Sequence, residues 1–305
     1  MQLYPNTPSQ FANASPADII AFLKTPALVA RRFGEILSAQ QFLGIFLLQK
    51  RFTIVGGAIG VPKNEVIRAV RGAEIVTPGS EYKLTPMSAE EYEFYQAMKE
   101  GLATEVTDEQ IGRLLRAPVD DAFTFLQTEL VFSANDMSLG AVTTSVTNTL
   151  AAGATWTGEG IGKKVYKDAL RIKARVRAQK LGYDIDTAVL PGELFAEVIP
   201  ELLDILPRES GQALSDEFPT VGGITWISDD GDDVPDPLFL DRSRFGGIAR
   251  EQIPTPEMVH IGGDTGVEIA SIRKAEAEKT RLQARNVHVP IVTDPLAAFY
   301  LTGTE

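Results

Sequence analysis

The chain has 305 residues, 44% of them hydrophobic and 23% charged, with a net charge of −12 and no cysteine. The apolar content is ample for a buried core and excludes a disordered chain, and the missing cysteines exclude disulfides, thiolate metal sites and a cysteine nucleophile. The acidic balance argues against a protein that grips nucleic acid by neutralising phosphates, though not against one that merely encloses it.

At a prior of about 150 residues per domain, the length predicts two domains or one elaborate one. Met1–Phe11 is polar and lacks the charged-then-apolar pattern of a leader. The longest apolar stretch, Phe42–Leu48, is too short to span a bilayer, so a soluble, cytoplasmic chain is expected. The first segment, residues 1–51, opens a helix at Ser15-Pro16-Ala17-Asp18, with Ser as N-cap and Pro in the first helical position. Thr25-Pro26 repeats the signal. Phe33, Ile36 and Leu37 share helical spacing, and Phe42 falls off that face. Lys24, Arg31, Arg32, Lys50 and Arg51 outweigh Asp18 and Glu35, which makes this the basic end of an acidic protein.

Residues 52–85 read as β. Phe52-Thr-Ile-Val is β-branched and aromatic. A charged tip follows at Lys63, Glu65, Arg68, Arg71 and Glu74, and the chain returns through Ile75-Val76 and Tyr82-Lys83-Leu84. As one hairpin, with limbs of about 15 residues, it would reach roughly 50 Å. A lone two-stranded ribbon is marginal in water, so such an arm needs a cover.

Residues 88–106 predict a strand or short helix that runs into Thr107-Asp-Glu-Gln110, a capping box ahead of Ile111, Leu114 and Leu115. Pro118 restarts a helix, whose Val119, Ala122, Phe123, Leu126 and Leu130 form an amphipathic stripe that ends near Asn135. The Ser/Thr/Ala/Gly-rich run 138–160 is the candidate domain boundary. Lys163–Leu181 is a strongly basic helix stopped by Gly182. Thr187–Leu190 is a short buried strand, and Pro191-Gly192 opens a helix with Leu194, Phe195, Val198, Ile199 and Leu202 apolar. Ile224–Ile227 is a strand ahead of the acidic loop Ser228–Pro237. Val267–Ile272 and Val287–Val292 alternate as strands on either side of the charged run 273–285, and the last segment is Pro295–Leu301. With no fixed repeat and no regular βαβ alternation, the fold class is α+β.

Motifs for chemistry are missing. Gly158-Glu-Gly-Ile-Gly-Lys-Lys164 departs from a phosphate loop at Thr157 and Lys164 and from a dinucleotide fingerprint at Lys163. It reads as a flexible loop before a helix. His260 and His288 form no metal-binding pair, and His288, in a strand, reads as a core or interface histidine. Asp229, Asp230, Asp232, Asp233 and Asp236 miss the calcium-loop pattern at Pro235 and Asp241 and read as a solvated loop. Glu90, Glu91 and Glu93 are a polar run, and no GxSxG elbow occurs. No catalytic, cofactor-binding or metal site is expected. The basic helix carries Lys163, Lys164, Lys167, Arg171, Lys173, Arg175, Arg177 and Lys180, with Asp168 its single acid. Nucleic-acid binding competes there with an ion-pair surface between subunits. The acidic whole chain, and the lack of aromatics beyond Tyr166, favour the second.

A basic N-terminal arm, a long β-hairpin, a long amphipathic helix, a central α/β region and a β return make an order that resembles the tailed-phage capsid fold of the Hong Kong 97 type. Ser80-Glu-Tyr-Lys-Leu84, Val106-Thr-Asp-Glu-Gln110 and Pro118-Val-Asp-Asp121 are similar to stretches in capsid proteins of actinobacterial phages. Gly182–Pro191 is similar to the family's central strand and following helix, and Thr293–Phe299 to its closing strand.

The resemblance implies an N-terminal arm at 1–51 and an extended hairpin loop at 52–85 lying over the adjacent subunit. It implies a peripheral domain with a spine helix at 86–150, an axial domain at 151–257 and a return to the peripheral domain at 258–305. It implies a major capsid protein and no enzyme, without cofactors or membrane contact. Copies would form pentamers and hexamers of an icosahedral virion shell, made in the host cytoplasm and enclosing DNA without reading its sequence. A portal and decoration proteins are implied partners, and a separate scaffolding protein is expected because the chain begins directly with the arm. The expected inter-subunit contacts are Lys63, Arg68, Arg71 and Glu74 on the hairpin and Lys163, Lys164, Lys167, Arg171 and Arg175 on the basic helix. Some members form Lys–Asn cross-links, which here would join Lys63 or Lys83 to Asn286. Non-covalent assembly is the expectation. The rivals are an encapsulin-type compartment of the same fold and an acidic α+β enzyme or ligand-binding domain.

Overall fold

The computed structural model describes residues 14–38, 43–63, 75, 76, 78, 80–82, 84, 91–205, 219–229, 234–261 and 265–304. Helix α1 (Pro16–Leu23) is capped by Ser15 in a reciprocal capping box with Asp18. Helix α2 (Pro26–Leu37) starts at its proline, but Thr25 supplies no side-chain cap, because its hydroxyl donates back to the Ala21 carbonyl at 3.2 Å. Phe33 turns inward from α2 and meets the Phe123 ring at 5.8 Å. Helix α3 (Leu43–Leu47) follows. A Cβ on its Gly44 would stand 2.3 Å from Ser138, so only glycine permits this close crossing.

The expected hairpin is built differently. Strand β1 (Lys50–Thr53) joins a sheet, parallel to β10 (Gly246–Arg250). Strand β2 (Ala58–Lys63) then pairs antiparallel with β3 (Glu91–Gln96) in a separate ribbon. Among the described residues, the limb that pairs with β2 is therefore β3 rather than any described residue of 75–84, and 6 residues of each limb are paired. The aromatic alternation of Glu91-Tyr-Glu-Phe-Tyr-Gln is the stronger strand signal. Arg68, Arg71, Glu74 and Lys83 lie outside the described residues.

Strand β4 (Met98–Thr107) ends in the expected capping box of Thr107 and Gln110, which starts α4 (Asp108–Leu114). Helix α5 (Ala117–Ser145) has 29 residues, about 43 Å of helix. It runs past the expected end at Asn135, into the small-residue run read as a boundary. Ser138 and Thr144 fit because their hydroxyls donate one turn back, to Ala134 and Gly140. Leu139 and Val142 are buried and hold this last part of the helix in place.

Two mixed six-stranded sheets carry the fold. In the first, β1, β10, β13 (Lys279–Val292), β12 (Val267–Lys274) and β11 (Val259–His260) lie in that order, and β4 also pairs with β13. The charged run 273–285 is mostly strand instead of a connection. Thr280, Leu282 and Ala284 point inward, while Lys279, Arg281 and Gln283 are half-exposed, a period of two written in charges.

The second sheet has the order β5 (Thr149–Ala151), β14 (Ala298–Thr302), β9 (Leu238–Leu240), β6 (Thr187–Pro191), β8 (Ile224–Asp229) and β7 (Thr220–Val221). Helix α6 (Ile161–Ala178) leads to β6, and α7 (Gly192–Ile205) crosses from β6 to its parallel neighbour β8. The largest core surrounds this sheet, with Trp156, Trp226, Phe239 and Phe245 fully buried. A second core lies between the first sheet and α1, α2, α4 and α5. The α+β class holds.

Candidate inter-subunit surfaces

The ribbon β2–β3 has two unlike faces because its residues alternate. Ile59, Val61 and Tyr95 turn inward onto Ile54, Ala249, Val289 and Ile291. The Tyr95 hydroxyl donates to the Val292 carbonyl at 3.4 Å, and burial pushes its pKa up. Tyr92 and Phe94 stand on the other face, 55% and 79% exposed. The Phe94 ring covers Gly60, where a Cβ would lie 3.0 Å from Cε1. Val55 and Met98, which flank the ribbon in sequence, are exposed as well. A contiguous aromatic face in solvent on a two-stranded ribbon has the character of an interaction surface. Lys63 is in register with Glu91 in the ribbon.

The basic helix α6 is fixed by its buried side. Val165, Ala169, Ile172 and Val176 enter the core of the second sheet. Asp168 is also buried, and it accepts bonds from Trp156 Nε1 and the Gly153 amide, both at 3.1 Å, and from Arg171 at 3.0 Å. The one acid of the helix thus anchors the preceding loop. Lys173 donates to the carbonyls of Gly222 and Gly223 at 3.3 and 2.9 Å, and partial burial lowers its pKa.

Lys163, Lys167, Arg171 and Arg175 are exposed on the outer face of α6, whereas Lys164 is half-buried and donates to the Thr157 carbonyl at 2.8 Å. Lys163, Lys167 and Arg171, with Tyr166, Leu170 and Ala174, line an open groove of about 370 Å³. Five of the nine charged residues predicted from the sequence therefore share one helix. Two surfaces escaped the sequence reading: the aromatic face of β3, and an acidic face of α7 with Glu193, Glu197 and Glu201 exposed. The four-residue spacing of those glutamates was the available signal.

Elsewhere, Asp229 belongs to β8, not to a solvated loop. It is buried and accepts from the Val234 amide at 2.8 Å. Asn286 and His288 are buried in β13, facing Asn135 and Ser138 of α5 across a small space. Burial, and then the charge of Arg250, hold the His288 pKa down to about 4. Among the described residues, no helix is long and apolar enough to cross a membrane.

No curated protein sequence matches the chain. A structure from Microbacterium phage Oxtober96 is similar with a TM-score of 0.53 at 13% identity, covering 86% of this chain and 91% of that one. A phage-related protein from Bordetella bronchiseptica gives 0.54 at 12% identity, covering 90% and 96%. The capsid structure of cyanophage P-SCSP1u gives 0.53 at 11% identity, covering 83% and 85%. The fold is thus shared along nearly the full length of chains that have little sequence in common with it. The family profile described as phage capsid protein matches residues 90–301, from the ribbon's return strand to the closing strand, and the chain belongs to that family.

Proposed function

We propose that this capsid protein is the major subunit of an icosahedral virion shell, and that its copies hold one another through surfaces a lone subunit leaves bare. The exposed Tyr92–Phe94 face of the ribbon carries this reading. A ribbon packed on one side against its own chain and exposing Tyr92 and Phe94 on the other suits a neighbouring copy as its cover. Residues 1–51 act as the arm, and the extended loop read at 52–85 takes β3 as its return limb. Residues 86–150 and 258–305 form the peripheral domain around α5, and residues 151–257 form the axial domain that carries α6 and α7.

Rings of five and six copies enclose double-stranded DNA, which the acidic chain holds without gripping. Scaffolding, portal and decoration proteins are its companions, the virion is its location, and the host cytoplasm is where it is made. Assembly is non-covalent, in keeping with the burial of Asn286, which is 4% exposed. No catalytic step is assigned. Electron microscopy of native particles, with extraction of their contents, tests the reading. Closed shells holding double-stranded DNA are expected. Shells filled with cargo protein would establish an encapsulin-type compartment instead, and a chain that never leaves a small soluble state would end the shell reading.

A further inference from the structure

We infer that the basic face of α6 in one copy docks on the acidic face of α7 in the next copy. The inference rests on the shell reading above and names the surfaces that join neighbours within a ring. On α6, Lys163, Lys167 and Arg175 are exposed and have no ion-pair partner among the described residues. On α7, Glu193, Glu197 and Glu201 are exposed at four-residue steps, and Asp204 continues the series. They too have no ion-pair partner among the described residues. The two charge ladders have matching length: Lys163 to Arg175 spans about 18 Å of helix, and Glu193 to Asp204 about 16 Å.

Within one copy the ladders do not neutralise each other. The two helices share a core through Val165, Ile172, Val198 and Leu202, and their charges point away from it into solvent. Each copy therefore offers one basic and one acidic ladder, in equal number. Such a contact joins different patches on its two partners, so it repeats from copy to copy and closes into a ring where the rotation allows.

Shape supports the pairing. The groove on α6 is lined by an apolar row of Tyr166, Leu170 and Ala174 beside its row of cations. The exposed face of α7 sets small apolar residues, Ala196 and Pro200, between its acids, which permits close approach. Nucleic acid is a poorer occupant. Among the described residues that line the groove, the aromatic is Tyr166, which already packs against Gly222, where a Cβ would lie 2.8 Å from its ring. A chain of charge −12 also repels a polyanion. Complementary charges of this kind set partner choice and association rate, and salt screens them.

Charge reversal tests the contact in the full-length chain. K163E/K167E/R175E reverses one ladder and E193K/E197K/E201K the other, and every changed residue is exposed, so both variants should fold. Each reversal alone is expected to lower shell yield at least tenfold at low salt, by sedimentation and electron microscopy. Carrying both reversals in one chain should restore shells, and so should mixing the two single-reversal proteins, which keeps the test decisive if the combined variant misfolds. Unchanged yield in either single reversal, or no recovery in both rescues, overturns the inference. Normal shells with depleted DNA in the basic-ladder variant overturn it too and assign the face to nucleic acid. If the unaltered chain forms no shells at all, the shell reading itself has failed, a result distinct from intact shells that ignore the ladders.

Discussion

Strands β6 and β3 are nearly equal in length, with 5 and 6 residues, but different things hold them. β6 lies between β8 and β9, and Thr187 to Leu190 are all buried. Beside it, Trp226 and Phe239 meet edge to face at 5.8 Å. Among the described residues β3 pairs with β2, and its Tyr92 and Phe94 are largely exposed. Fully burying a large side chain contributes about 1.5–3 kcal/mol, so β6 is held by its own chain, whereas on the proposed reading the outer face of β3 gains that burial from a neighbouring copy. Subunit stability and shell stability should therefore respond to different substitutions.

The largest effect on the subunit should come from its core. Trp226→Ala is expected to lower folding stability by about 3–5 kcal/mol in denaturant titration. His288 comes next. Its folded pKa of about 4 lies below the ordinary 6.5 because burial, then Arg250, disfavours the imidazolium. Between those values the unfolded chain binds a proton that the folded chain refuses. The stability contributed by neutral His288 is whole above pH 6.5 and is lost as pH falls towards 4, about 3 kcal/mol in all. His288→Leu should flatten that part of the pH–stability profile. Thr107→Ala removes the cap of α4 and should cost about 1 kcal/mol. The smallest effect on the subunit belongs to the ribbon. Phe94→Ser should leave free-subunit stability within about 0.5 kcal/mol and yet sharply reduce shell yield. A comparable loss of subunit stability for Phe94→Ser would break the contrast.

Local chemistry was legible in the sequence. Ser15 and Thr107 mark helix starts because a cap is a short-range bond, and Thr187–Leu190 marks a buried strand because its apolar run is continuous. Features set by distant contacts were not legible. Helix α5 reaches Ser145 because Leu139 and Val142 find a core elsewhere in the chain. Strand β2 takes its partner from residues 91–96, a pairing that no local signal specifies. The first half of β13 hides its period of two under charges that are themselves half-exposed. The basic face of α6 was visible as a run of cations. The acidic face of α7 stayed hidden behind the apolar stripe of the same helix, although both follow the same spacing.

Hydrogen exchange compared between free subunits and assembled shells tests the central claim most directly. Amides of β6 should be protected in both states. Amides of β2 and β3 should exchange readily in the free subunit and become protected only in the shell. Equal protection of the ribbon in both states would contradict the account, since the ribbon would then be held by its own chain alone.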